Sequence, residues 1–112
     1  MNKKLHIRRP ENVGKRLTLT RLALGFENQK DFYVATRLGA SAYSMWESGD
    51  SFPRVEHMML LCQQFGLTLD WIYRGDLSNV SYSLAVKIRE QAANHPDDYA
   101  EALNFSIIEI EP

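Results

Sequence analysis

What this chain lacks narrows its function before any motif is read. It has a single cysteine, Cys62, so no internal disulfide can form. That argues against a secreted disulfide scaffold and fits a reducing cytoplasm. Its longest apolar run is Met58-Met59-Leu60-Leu61-Cys62, far short of the ~20 residues of a membrane-spanning helix. The first ten residues are basic but hold no apolar stretch of the signal-peptide kind. His6, His57 and His95 lie far apart, with no Cys or carboxylate at ligand spacing, so no metal site is expected. No Ser/His/Asp order, P-loop or glycine-rich phosphate loop is present, and neither catalysis nor a cofactor is expected. Internal repeats and low-complexity tracts are missing too.

What is there suits one domain. The chain has 112 residues, 45% of them hydrophobic, enough for a core without staples. The formal net charge is −1, but it is unevenly spread. Residues 1–50 carry nine Lys/Arg against five Asp/Glu, and residues 51–112 carry four against nine. Such a split suggests a basic face for an anionic partner.

The pattern is of short helices between brief breaks. Residues 1–9 form a basic arm with Lys3, Lys4, His6, Arg8 and Arg9. Pro10 suits a first helical turn. Val13, Leu17 and Leu24 then recur at helical spacing, with Lys15, Arg16 and Arg21 between them, until Gly25. That predicts a helix over 10–24. Asn28 is a good N-cap for a helix over 29–37, and another follows over 40–48 with Tyr43 and Trp46 on one face. Val55, Met58, Met59, Cys62 and Phe65 predict an apolar stripe on a fourth helix ended by Gly66. Thr68 caps a fifth over 69–74, which Gly75 stops. A further helix is expected over about 80–94, and His95-Pro96-Asp97-Asp98 starts a new one. Phe105 to Ile110 reads as a helix end or a short strand.

The informative segment is Asn28 to Gly49, two short helices joined by a tight turn, with Gln29 opening the first. A helix-turn-helix requires this arrangement, with one helix across the phosphates and the next in the major groove. The sequence resembles the lambda-repressor-like, Xre/Cro-type helix-turn-helix proteins. The residues that carry the likeness are Gly14-Lys-Arg-Leu17, Leu22-Ala-Leu-Gly25, Gln29, Phe32, Tyr43, Trp46-Glu47-Ser48-Gly49, Pro53, Leu61-Cys62 and the run from Gly66 to Asp76. They span roughly residues 13–76. The resemblance implies an all-α, five-helix DNA-binding domain over 10–76, preceded by the 1–9 arm and followed by a 77–112 extension. It also implies a repressor-type regulator of bacterial or phage origin, bound to double-stranded DNA as a homodimer in the cytoplasm.

Two departures stand out. Four residues after Gln29 the family usually has Ala; here Tyr33 stands, too large for close helix contact unless it swings outward. Eight residues after, the family prefers Gly, often at positive φ; here it is Arg37, with Gly39 two residues later. Counting back from Trp46-Glu47 makes Arg37 the turn residue and keeps Gln29, Phe32, Tyr43 and Trp46 in place. Counting forward from Leu38-Gly39 shortens the third helix by two. The first register is preferred.

In that register Ala40, Ser41, Ser44, Met45 and Ser48 face the groove, while Gln29, Lys30, Arg37 and the arm reach phosphates. No bidentate Arg, Asn or Gln lies on this reading helix, so direct readout is degenerate and specificity is modest or drawn from DNA shape. Leu84, Ile88, Leu103, Phe105, Ile107, Ile108 and Ile110 exceed what five helices need to cover themselves. They form a candidate dimer contact, or else pack back on the domain. The alternative function is a protein-interaction module on the same scaffold, with a protein partner in place of DNA.

Overall fold

The computed structural model describes residues 7–104. Helices account for its architecture: α1 (Pro10–Ala23), α2 (Gln29–Thr36), α3 (Ala40–Ser48), α4 (Val55–Phe65), α5 (Leu69–Arg74), α6 (Tyr82–Asn94) and α7 (Pro96–Tyr99), with a 3-10 turn at Ala100–Ala102. No strand occurs among the described residues. The helix or strand expected at 105–110 lies outside them, as do Lys3, Lys4 and His6 of the arm.

Local chemistry sets most of the boundaries. Pro10 opens α1, and Gly25 takes the left-handed conformation just beyond its end. The Asn28 side chain accepts from the Asp31 N–H at 2.9 Å, and Asn28 Nδ2 donates back to the Asp31 carboxylate at 3.1 Å. Two groups at the head of α2 are thereby satisfied together. Thr68 caps α5 with a single bond, accepting from the Trp71 N–H at 3.0 Å.

α1 is the central helix. It packs on α3, α5 and α6 and is buried on nearly every side. The sequence pattern placed Arg16 and Arg21 between the apolar positions; the structure turns both inward, and the reason is that α1 has neighbours all round it. The core joins Val13, Leu17 and Leu19 of α1 to Phe32, Tyr43, Trp46, Met58, Leu61, Trp71 and Ile72. Rings meet at its centre, with Phe32 5.3 Å from Tyr43 and 5.2 Å from Phe26, centre to centre.

One expectation is corrected and one open alternative is decided. On α4 the inward residues are Met58 and Leu61, while Val55 and Met59 are 47% and 53% exposed. The stripe is rotated because α4 rests on the domain by one edge, and the other edge faces outward. In the extension, Leu84, Ile88 and Leu103 are buried in the same core as α1. They are spent on covering their own chain, where α6 lies against α1. Phe105, Ile107, Ile108 and Ile110 lie outside the described residues.

Candidate nucleic-acid interface

Two buried polar networks draw on arginines of α1; one holds the pair α2–α3, and the other ties α1 to α5 and to the 3-10 turn. The first gathers around Glu47, near the C-terminal end of α3. Its carboxylate accepts from Arg21 Nε at 2.8 Å and Nη2 at 3.3 Å, from Thr18 Oγ1 at 2.8 Å, and from Gln29 Nε2 at 3.1 Å. The side chains of Arg21 and Glu47 are 8% and 5% exposed. Arg21 also donates Nη1 to the carbonyls of Phe26 and Glu27 in the loop before α2. So α1, α2 and α3 are tied at one point, and the crossing of α2 and α3 is set by it. Burial pulls the Arg21 guanidinium down, but Glu47 and Tyr43 together shift it up on balance. The Tyr43 phenol shifts up strongly, by burial and then by the neighbouring Glu47 carboxylate.

The second network surrounds Arg16, which is fully buried. Its Nε donates to the Ile72 carbonyl at 2.9 Å, Nη1 to that of Ala102 at 2.6 Å and Nη2 to that of Ile7 at 2.7 Å. Ile72 and Ala102 lie in the last turns of α5 and of the 3-10 turn, where carbonyls point outward unpaired and the helix dipole is negative. A cation fits there without a carboxylate. Burial lowers its pKa to about 10, so it remains charged at neutral pH.

Close backbone contact completes the mounting of α3. A Cβ on Gly14 would stand 2.5 Å from the carbonyl oxygens of both Trp46 and Glu47. Gly49, at φ +86° just past α3, has the Glu11 backbone against it. The end of α3 is thus pressed directly on α1, which no side chain at position 14 would allow.

The turn itself is decided at Arg37. It sits at φ 61°, ψ 29°, the non-glycine residue with positive φ among those described. Its N–H donates to the Val34 carbonyl at 3.3 Å and the Leu38 N–H to that of Tyr33 at 3.0 Å, the paired bonds of a Schellman cap. Leu38 is buried beneath the cap. The register with Arg37 as turn residue is the observed one. Tyr33 is half-buried and packs at the edge of the core.

On α3 the division of faces is sharp. Tyr43 and Trp46 are buried at 0% and 3% exposure, while Ala40, Ser41, Ser44, Met45 and Ser48 are all exposed. The Ser48 hydroxyl is engaged locally, donating to the Met45 carbonyl at 3.1 Å. Lys30 and Arg37 are exposed. Gln29 has a structural partner as well. It is half-buried, and since an ionised carboxylate only accepts, its amide N–H must be the group turned to Glu47. The glutamine helps to fix the helix pair. The Glu47 and Arg16 networks went unread in the sequence. The Trp46-Glu47-Ser48-Gly49 run was a visible signal, but it named no partner for Glu47.

Comparison with protein families matches residues 28–72 to the helix-turn-helix family. The matched segment is a lambda-repressor/Xre-like helix-turn-helix. It runs from the α2 cap through Ile72 of α5 and contains the turn at Arg37. No curated protein and no solved structure matches the chain. A helix-turn-helix of this family is the DNA-binding module of regulators, with α2 and α3 as its two characteristic helices. α1 and the α6 extension lie outside the matched residues yet share one core with it. Among the described residues no helix is long and apolar enough to cross a membrane, and no cluster of His, Cys, Asp or Glu could hold a metal ion.

Proposed function

We propose that this chain is a non-catalytic transcriptional regulator of repressor type, bacterial or phage-derived, that acts in the cytoplasm on double-stranded DNA as a homodimer. In this reading α3 lies in the major groove, with Ala40, Ser41, Ser44, Met45 and Ser48 toward the bases. Lys30 and Arg37 contact phosphates, Gln29 adds a phosphate contact with the polar atoms that Glu47 leaves free, and the 1–9 arm extends the basic surface. Residues 10–76 read the DNA and residues 77–104 complete their support.

The observation that carries the reading is the exposure of α3. Its outward residues are small or flexible and leave the helix free to enter a groove, while its inward residues are anchored. The charge pattern agrees, although Arg16 and Arg21 turn inward and leave fewer cations for phosphate. Specificity is then modest, because serine and methionine discriminate bases weakly.

The test is a fluorescence-anisotropy titration with mixed-sequence duplex DNA at two salt concentrations. Binding near 1–100 μM that weakens steeply with salt is expected, and Lys30→Ala and Arg37→Ala should each flatten the salt slope by about one. Absence of binding by the folded protein at low salt overturns the reading and favours a protein partner.

A further inference from the structure

Among the described residues, Val34, Met45 and Tyr82 are large apolar side chains exposed singly on α2, α3 and α6, and the others gather at α4. Val55, Met59 and Leu60 are 47%, 53% and 64% exposed, and Phe52 in the loop before the helix is 52% exposed. Val55 and Met59 are one turn apart, Leu60 is beside Met59, and Phe52 lies ahead of the same helix end. Glu56, Gln63 and Gln64 are exposed too and complete one outward face. No Lys or Arg occurs from Val55 to Phe65, so this face suits neither phosphates nor an anionic bilayer. Four large apolar side chains together on so small a protein mark a protein contact.

We infer that this face joins two copies of the chain about a two-fold axis near Val55. A two-fold contact must be complementary to itself. Arg54 and Glu56 flank Val55, are opposite in charge, and are both largely exposed, with only a loose 3.9 Å contact between them. Across an axis at Val55, Arg54 of each copy meets Glu56 of the other, around a centre of Phe52, Val55 and Met59. The location fits the task as well. The loop from Asp50 to Arg54 leads straight from the end of α3 into α4, so pairing here couples the two reading helices through a short connection. The protein measures 35 × 32 × 22 Å, one protomer width for the ~34 Å between half-sites on one face of DNA. This inference rests on the proposed homodimer, and its test reads association without DNA.

Sedimentation velocity of the full chain from about 1 to 100 μM should show a reversible dimer. Leu60→Glu should raise the dimer Kd at least about tenfold with an unchanged circular dichroism spectrum, since the side chain is already exposed. Arg54→Glu should weaken the dimer, and Arg54→Glu with Glu56→Arg should restore it. Ile108→Ser with Ile110→Ser should leave Kd within about twofold. A monomer at the highest concentration overturns the inference. So does a Leu60→Glu dimer of undiminished strength, or loss of the dimer in the Ile108/Ile110 variant, which would assign the contact to the chain end. A dimer that Leu60→Glu dissociates but that binds no DNA supports this interface and overturns the regulator reading alone.

Discussion

Arg21 of α1 and Glu47 of α3 form a buried ion pair, Nε to Oε2 at 2.8 Å, and Gln29 at the head of α2 joins the same carboxylate. Three helices therefore share one acceptor. Such a pair adds little net stability over a well-packed apolar one, because both charges lose their water. Its consequence is geometric, since only one crossing of α2 and α3 satisfies all the donors. Removing one partner is a different matter. Glu47→Ala leaves the Arg21 charge buried alone and should cost about 3–5 kcal/mol in urea unfolding. Glu47→Gln should cost less, because it keeps an acceptor for Thr18.

Gly14 sets how closely α1 meets the end of α3. Alanine is the better helix former by about 1 kcal/mol, so Gly14→Ala would stabilise an isolated helix. Here its methyl would press on two backbone carbonyls. A net loss of about 1–3 kcal/mol is expected, measured by urea unfolding, with DNA affinity reduced as α3 shifts.

Arg37 holds a left-handed conformation that L side chains adopt at a cost of about 1–2 kcal/mol. Arg37→Gly should raise the melting temperature or leave it unchanged, since relief of strain is partly offset by a floppier unfolded chain. The same change removes an exposed charge and should weaken DNA binding. Affinity then falls without a loss of stability, as thermal melts and anisotropy can read. Arg37→Val should lower both.

Arg16 connects α5, the 3-10 turn and Ile7 through three carbonyls. A lysine has the charge but not the planar fork that reaches all three. Arg16→Lys should cost about 2–4 kcal/mol, because buried carbonyls lose their donors. The loss should appear as one cooperative transition followed by tryptophan fluorescence, since the α6 extension and the helix-turn-helix share a core. Two separate transitions would contradict that unity.

Cys62 is half-buried on α4, and burial raises its thiol pKa. The thiolate is the reactive form and is correspondingly scarce at neutral pH. Alkylation of the native protein at pH 7 should therefore be slower than that of a free cysteine, and denaturant should restore the ordinary rate.

The helix-turn-helix was legible because its signals are local. Asn28 and Thr68 cap by reaching three residues along the chain, Gly25, Gly66 and Gly75 end helices by their own freedom, and Tyr43 and Trp46 share a face by helical period. Even the turn at Arg37 followed from counting between Gln29 and Trp46. The exposed set on α3 is a consequence of the same counting, since burying Tyr43 and Trp46 turns Ala40, Ser41, Ser44, Met45 and Ser48 outward.

What the amino-acid sequence determined alone, then, is where α1 to α6 lie, to within about two residues, and which side of α3 is anchored. The tertiary structure decided which charges are internal, which edge of α4 is bare, and that Leu84, Ile88 and Leu103 cover their own domain. The reason is range. Arg21 meets Glu47 across 26 positions and Arg16 meets Ala102 across 86. No periodicity within one helix records which carbonyl or carboxylate another helix will bring to it. An arginine on α1 reads as solvated until the chain folds around all its sides and water is replaced by those acceptors.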